Sequence, residues 1–233
     1  MRVLDFIARM SAIVLLMISL PLAQHDLTES RSGPNEIPDT FPIFPLRDVV
    51  LFPNSSVPLH IFEPRYREMI ADSLEGDGII GMVLLQPGHE NDYYGRPPVF
   101  TIGCAGQIVD AEELADGRYL VMLRGLSKFR VVREDSSRPY RLATVELISE
   151  SLDDQSRVLL AERRQRLSEM LSSLSSDPQP LPRALSDAEF IDRVAQAIDL
   201  DPAGRQALLE ANNVVDRAEA LIDIISVRAT VPL

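Results

Sequence analysis

The hydrophobic pattern of this chain changes period once, near Glu150, and that change restricts the fold more than any single motif does. Between Phe41 and Glu150, short apolar runs follow one another at 41–46, 49–52, 57–62, 79–85, 99–109, 119–126, 129–132 and 142–148, divided by Pro, Gly, Asn and Asp clusters. Short runs rich in Val, Ile, Phe and Leu between such breakers predict strands. Asp116-Gly117 predicts a tight hairpin, because glycine supplies positive φ at little cost. One helix interrupts the strands: Pro64 suits a first helical position, Tyr66, Met69, Ile70 and Leu74 fall on one face, and Gly76 and Gly78 end it.

Beyond Glu150 the apolar residues recur at helical spacing. Leu160, Leu167, Leu171 and Leu174 make a stripe that Asp177-Pro178 stops, and a proline-rich joint occupies 179–182. Ser186 and Glu189 have capping-box spacing before Phe190, Val194 and Ile198. Asp201-Pro202 opens a third helix, and Asn213 precedes a fourth that carries Val214, Ala218, Leu221, Ile222 and Ile225 on one side. The expected fold class is α+β, a mainly β unit at 41–150 followed by a small helical bundle at 151–233. No repeat of solenoid or propeller length is visible.

Composition removes several function classes. The chain has 233 residues, enough for one domain or two small ones, and 45% hydrophobic content is sufficient for a core. A net charge of -12 presents nucleic-acid phosphate with a repelling average field, so no nucleic acid is expected as a partner. Arg163, Arg164 and Arg166 read as a solvated helix face rather than a basic patch. One cysteine, Cys104, excludes disulfide scaffolds and zinc fingers, and His25, His60 and His89 lack metal-ligand spacing, so neither metal nor cofactor is expected. The single lysine, Lys128, follows no glycine-rich loop, so a P-loop ATPase is not encoded.

Residues 1–24 place Arg2 and Arg9 before an apolar run at 12–20 and then Pro21-Leu22-Ala23. Three readings stay open: an export signal, an uncleaved membrane anchor, or a start-site extension unused by the folded part. Localisation follows that choice, cytoplasmic for an extension and exported or anchored for a true signal. A membrane enters as a partner only through an anchor. Residues 25–40, polar and rich in breakers, read as a linker.

Among surface segments the loop 87–98 stands out, since Tyr93, Tyr94 and Arg96 are residue types enriched where proteins bind one another. Those three are the candidate partner contacts. Glu63 and Arg65 flank a helix start, where a carboxylate favours the exposed N–H groups, a reading preferred to a recognition charge pair; Pro42, Pro45, Pro53 and Pro58 are expected to shape edge strands and turns in preference to forming a peptide-binding rim. Cys104 lies in an apolar run and is read as a small core residue. Glu112-Glu113 and Asp153-Asp154 point apart on a strand or helix and make no acid–base pair. No catalytic residues are assigned.

Several separated pieces together resemble a known family. FPIFPLRDVVLFP at 41–53 and PLHIFEPRYR at 58–67 are similar to the opening of the substrate-binding amino-terminal domain of Lon proteases. Ile102-Gly103 with Ile108-Val109, Asp116-Gly117-Arg118, Arg124-Gly125-Leu126 before Phe129-Arg130-Val131, and Pro139-Tyr140 before Ala143-Thr144-Val145-Glu146 follow in the family's order. The resemblance implies a PUA-like β-barrel followed by a helical subdomain, and recognition of unfolded or damaged polypeptides. The ATPase and Ser-Lys protease modules of a full Lon protease have no counterpart among these residues, so their activities are not carried over. The same module occurs in ubiquitin-ligase components beside zinc-bearing domains, which one cysteine excludes. The expected function is a stand-alone, non-catalytic polypeptide-binding module, an adaptor in protein quality control that delivers chains to a separate protease or chaperone. The alternatives are a small hydrolase or transferase with a dispersed site, and a PUA-like RNA binder, which the acidic balance disfavours.

Overall fold

A computed structural model describes residues 37–89, 95–174 and 184–230. The readings of residues 1–24 and of most of the linker, the stop at Asp177-Pro178 and the joint at 179–182 lie outside them. The elements run β1 (Thr40–Leu46), β2 (Ser56–Ile61), α1 (Pro64–Glu75), β3 (Ile79–Leu84), β4 (Ile102–Glu113), β5 (Tyr119–Asp135), β6 (Arg141–Ile148), α2 (Asp154–Leu174), α3 (Asp187–Ala197), α4 (Pro202–Leu209) and α5 (Val214–Thr230). The fold is mixed α+β, as the change of period predicts.

The strands pair in the order β2-β5-β4-β3-β1-β6, and β5 also pairs with β6. The hydrogen bonds therefore close β5, β4, β3, β1 and β6 into a ring and leave β2 outside it, attached to β5 alone. β5 has 17 residues, long enough to face β2 and β4 in its first half and β6 in its second. Register shifts bend it at Leu126 and Val132, as bulges do in closing sheets. The runs 119–126 and 129–132, expected as two strands, are thus one; the polar Ser127-Lys128 between them continues the ladder. Val99 makes only an isolated bridge with Leu85.

Alternation along the strands builds two apolar layers. Phe41, Ile43, Ile79, Val83, Ala105, Phe129, Ala143 and Val145 come from all five ring strands and fill the ring, with Phe41 and Phe129 edge to face at 5.2 Å. β3 is buried throughout because its other residues, Ile80, Met82 and Leu84, face a second cluster shared with the helices. Phe190, Val194, Leu209, Leu221 and Ile225 belong to that second cluster, so sheet and bundle bury one continuous surface. The outer prolines fit this plan: β2 is an edge strand, and β1 pairs with β6 at its start and with β3 at its end, leaving Pro42 and Pro45 each with one neighbour.

Capping follows the sequence closely. Ser186 Oγ accepts from Glu189 N while Glu189 accepts from Ser186 N, Asp201 accepts from Gly204 N, and Asn213 Oδ1 accepts from Val215 N and Asp216 N. Gly117 adopts φ 77° in the hairpin that joins β4 to β5. Four local expectations are corrected. Leu74 is exposed and Ser73 is buried in its place, its hydroxyl donating to Met69 O. Glu63 makes no side-chain cap at α1 and pairs with Arg65 instead. Arg163 and Arg164 are not a solvated face: Arg163 pairs with Glu219 of α5, and Arg164 donates to Asp187 and Leu185 O while lying over Phe190.

The fourth correction concerns 49–52, expected as a strand. This segment is irregular and buried, and α3 supplies what a ladder would: Gln196 Oε1 accepts from Phe52 N at 3.0 Å and Gln196 Nε2 donates to Val50 O at 2.9 Å. Asn54, at φ 58°, donates from its backbone to Gly125 O and from its side chain to Asp192 Oδ2 at 2.8 Å. A Cβ on Gly125 would stand 2.1 Å from Phe52 O, so only glycine lets the segment lie on β5.

Below it lies a buried ionic cluster. Arg217 Nη1 donates to Asp192 Oδ1 at 2.5 Å, Nη2 to Glu150 Oε1 at 2.8 Å, and Nε to Leu208 O at 3.2 Å. Lys128 Nζ reaches Glu150 at 2.8 Å and Ala211 O at 2.6 Å. Burial pushes the Asp192 carboxyl up to about 6, against the opposing pull of Arg217 and Asn54.

Two outcomes are expected. Arg217→Met strands Asp192 and Glu150 in the interior and lowers the urea-unfolding free energy by about 3–5 kcal/mol. An acid whose pKa is raised in the folded state stabilises that state when protonated. The contribution of Asp192 is therefore lost as pH rises through about 6 and is fully present below its unfolded value of 3.8. Between pH 7 and pH 5 the wild type should gain about 1 kcal/mol more stability than Asp192→Asn does, read from paired urea titrations.

Candidate functional site

β2 leaves one long edge unpaired by any other strand among the described residues. Val57, Leu59 and Ile61 point inward, and Pro58 and His60 point out. Across the sheet, Pro58 stands opposite Met122 and Met122 opposite Asp110; His60 stands opposite Leu120 and Leu120 opposite Glu112. Directly opposed residues share a face, so two rows of three side chains cover the outside of β2, β5 and β4. Leu120 is 43% exposed and Met122 37%. Phe62, just past β2, is 60% exposed, with its ring 5.9 Å from that of His60.

Charges border this apolar strip. Arg118 Nη1 lies 3.2 Å from His60 Nε2, and its Nε donates to Asp116 Oδ2 at 2.7 Å. The Arg118 backbone N–H, more than its guanidinium, holds the Asp116 carboxyl below its ordinary value. The Asp110 and Glu112 carboxylates have no hydrogen-bond or ion-pair partner among the described residues.

A groove of about 220 Å³ runs along the free edge of β2. Residues 58–63 line it from both faces of the strand, so it exposes the strand's backbone edge; Phe44, Leu46, Val49 and Tyr66 complete it. Phe44 and Tyr66 meet edge to face at 4.6 Å, and the Arg65 guanidinium sits 4.5 Å from the centre of the Tyr66 ring. Burial raises the Tyr66 phenol above its ordinary value. The groove is therefore an apolar slot beside a row of backbone groups. An extended chain can pair with such an edge while its side chains enter the slot.

The residues singled out from sequence fall elsewhere. Tyr93 and Tyr94 lie outside the described residues. Arg96 donates to the carbonyls of Asp135, Arg138 and Tyr140 at 3.1–3.4 Å, so its guanidinium is committed to the β5–β6 turn. Cys104 is fully buried, and its thiol is pushed far up by desolvation, then by Asp192. Ser127 Oγ donates to a backbone carbonyl, and Lys128 is locked in the ionic cluster, so the two adjacent residues do not form a nucleophile–base pair. Glu112 lies on the outer strip, Glu113 bonds Tyr119, and Asp153 caps α2 by accepting from Ser156 N.

Sequence does not single out Leu120 and Met122, because apolar residues inside strand runs read as core, whereas Pro58 stands on the edge strand expected of it. The signal was present in β5, where Leu120, Val121, Met122 and Leu123 are apolar on both faces although only one face is covered.

A sheet closed into a ring, a free apolar edge and an attached helical bundle define the architecture. Comparison with known proteins supplies the family: the description "ATP-dependent protease La (LON) substrate-binding domain" matches residues 40–227. The chain belongs to the Lon substrate-binding domain family. It is 29% identical over 205 residues to Lon protease 2 of Sorangium cellulosum, covering 84% of this chain and 26% of that protein. With Lon protease 2 of Myxococcus xanthus the identity is 24% over 198 residues, covering 82% and 24%. The chain thus spans about a quarter of the length of these relatives. The Lon N-terminal domain protein from Xanthomonas campestris shares the fold at TM-score 0.53 and 25% identity, covering 83% of this chain and 99% of that one. The N-terminal domain of the Mycobacterium avium complex Lon protease does so at 0.59 and 20% identity, covering 80% and 98%.

Burial makes a reactivity prediction for Cys104. Thiolate is the reactive species, so a chromophoric disulfide reagent at pH 8 should leave the native thiol unmodified over an hour and titrate one thiol per chain once urea unfolds the protein.

Proposed function

We propose that this chain is a polypeptide-binding module that takes exposed apolar segments of unfolded or damaged proteins and performs no reaction of its own. As an adaptor in protein quality control it passes them to a separate protease or chaperone. The observation that carries this reading is the exposed strip of Pro58, Phe62, Leu120 and Met122 beside the groove on the free edge of β2. Membership in a substrate-binding family supports it.

The chemistry suits an unfolded chain. Backbone pairing at a strand edge recognises any extended segment regardless of sequence, and the slot and strip reward apolar side chains. Each Leu- or Phe-sized side chain fully removed from water contributes about 1.5–3 kcal/mol. Two or three such contacts give useful affinity against the entropy of ordering the segment. Tyr93 and Tyr94 are proposed as a second contact.

Leu120→Asp and Met122→Asp place charges on the strip without touching the core. Each should weaken binding of a casein-like unfolded protein by about tenfold or more, read by fluorescence anisotropy, with circular dichroism and the urea midpoint unchanged. Undiminished binding by both folded variants would overturn the assignment of this face.

A further inference from the structure

Two features of the outer strip serve neither the fold nor apolar binding. Asp110 and Glu112 stand in register with Met122 and Leu120, on the same face and with no side-chain partner among the described residues, whereas Asp116 nearby is paired with Arg118. Cross-strand neighbours lie about 5 Å apart, so a chain seated on Leu120 and Met122 has both carboxylates within reach of its long side chains. The cations on this side are Arg118, committed to Asp116 and to the His60 ring, and Arg124, exposed two residues beyond Met122 on the same face and opposite Ser56 and Gln107.

Resting on the reading above, we propose that the segments this face takes are cationic as well as apolar: extended polypeptides in which Lys or Arg flanks the apolar residues, with the apolar side chains on Leu120, Met122 and Phe62 and the cations on Asp110 and Glu112. Charge complementarity selects this occupant over two others. An acidic or neutral segment leaves both carboxylates partly desolvated without compensation. A second copy seated by two-fold symmetry brings its own Asp110 and Glu112 to the same interface and adds another charge of -12. The field of the whole chain works in the same direction, steering cationic segments inward and repelling anionic ones.

The test uses three labelled peptides with one apolar core, flanked by Lys, by Ser or by Glu, titrated into the full chain and into the Asp110→Asn/Glu112→Gln double variant. For the wild type at low salt, the Lys-flanked peptide should bind about fivefold tighter than the Ser-flanked one and the Glu-flanked peptide weakest. The preference should shrink as salt is raised through physiological strength. In the double variant the Ser-flanked peptide should bind as before while the Lys advantage falls below twofold.

Equal binding of the three peptides to the wild type, or a Lys advantage that survives the double substitution, overturns the cationic assignment while leaving apolar binding intact. Loss of nothing in Leu120→Asp, or no binding of the Ser-flanked peptide at all, sinks the underlying reading and this one with it. Sedimentation across concentration provides the remaining arm: a dimer that Leu120→Asp abolishes identifies a second copy as the occupant and overturns the proposal.

Discussion

Arg217 is fully buried and cannot shed its charge, so its N–H groups require acceptors, and those acceptors determine how sheet and bundle fit together. They come from three directions: Asp192 on α3, the Leu208 carbonyl on α4, and Glu150 just after β6. Glu150 in turn holds Lys128 of β5, and Asp192 holds Asn54 ahead of β2. An apolar contact between the same surfaces would tolerate sliding, because burial is indifferent to direction. Hydrogen bonds to a planar guanidinium are not indifferent, and each lost bond leaves a buried charge behind. The cluster is thus a device of orientation, held in place by the apolar layer around it.

That orientation reaches the outer strip through a short path. Within residues 49–55, Val50 and Phe52 take their polar contacts from Gln196 of α3 and the Asn54 side chain from Asp192, while the backbones of Asn54 and Ser55 pair with Gly125 of β5. β2 follows directly. Its edge is free because the preceding segment is drawn inward onto the bundle and the ring closes without it, through β5 pairing with β6. The same long strand that closes the ring also carries Leu120 and Met122 outward on its first half.

Local structure was legible in the sequence wherever local chemistry decides it. The cap at Ser186, the proline starts at Pro64 and Pro202, the glycine in the hairpin and the change of period at Glu150 each depend on residues close in the chain. The misreadings share a cause. The run at 49–52 is apolar enough for a strand, but the groups that satisfy its backbone sit more than 140 residues away on α3. Arg163 and Arg164 read as solvated until Glu219 and Asp187 are brought beside them. The outer strip was hidden for the converse reason: apolar composition does not show which face of a strand remains uncovered, and here the decisive fact is a strand order set by non-local pairing.

A protein with an open strand edge beside exposed Leu, Met and Phe side chains ought to be prone to self-association, and the edge carries its own restraints. Pro58 sits in the middle of β2 and lacks the N–H that continuous pairing needs, so a second β2 cannot zip along the whole edge. Asp110 and Glu112 place two unneutralised charges beside the apolar rows, and the chain as a whole carries -12. Edge pairing with a copy of itself is therefore interrupted sterically and opposed electrostatically. A flexible foreign segment can shift its register around Pro58 and can bring charge of the opposite sign. The proline and the carboxylates that oppose self-pairing are then the same groups that any extended segment laid on this face would meet.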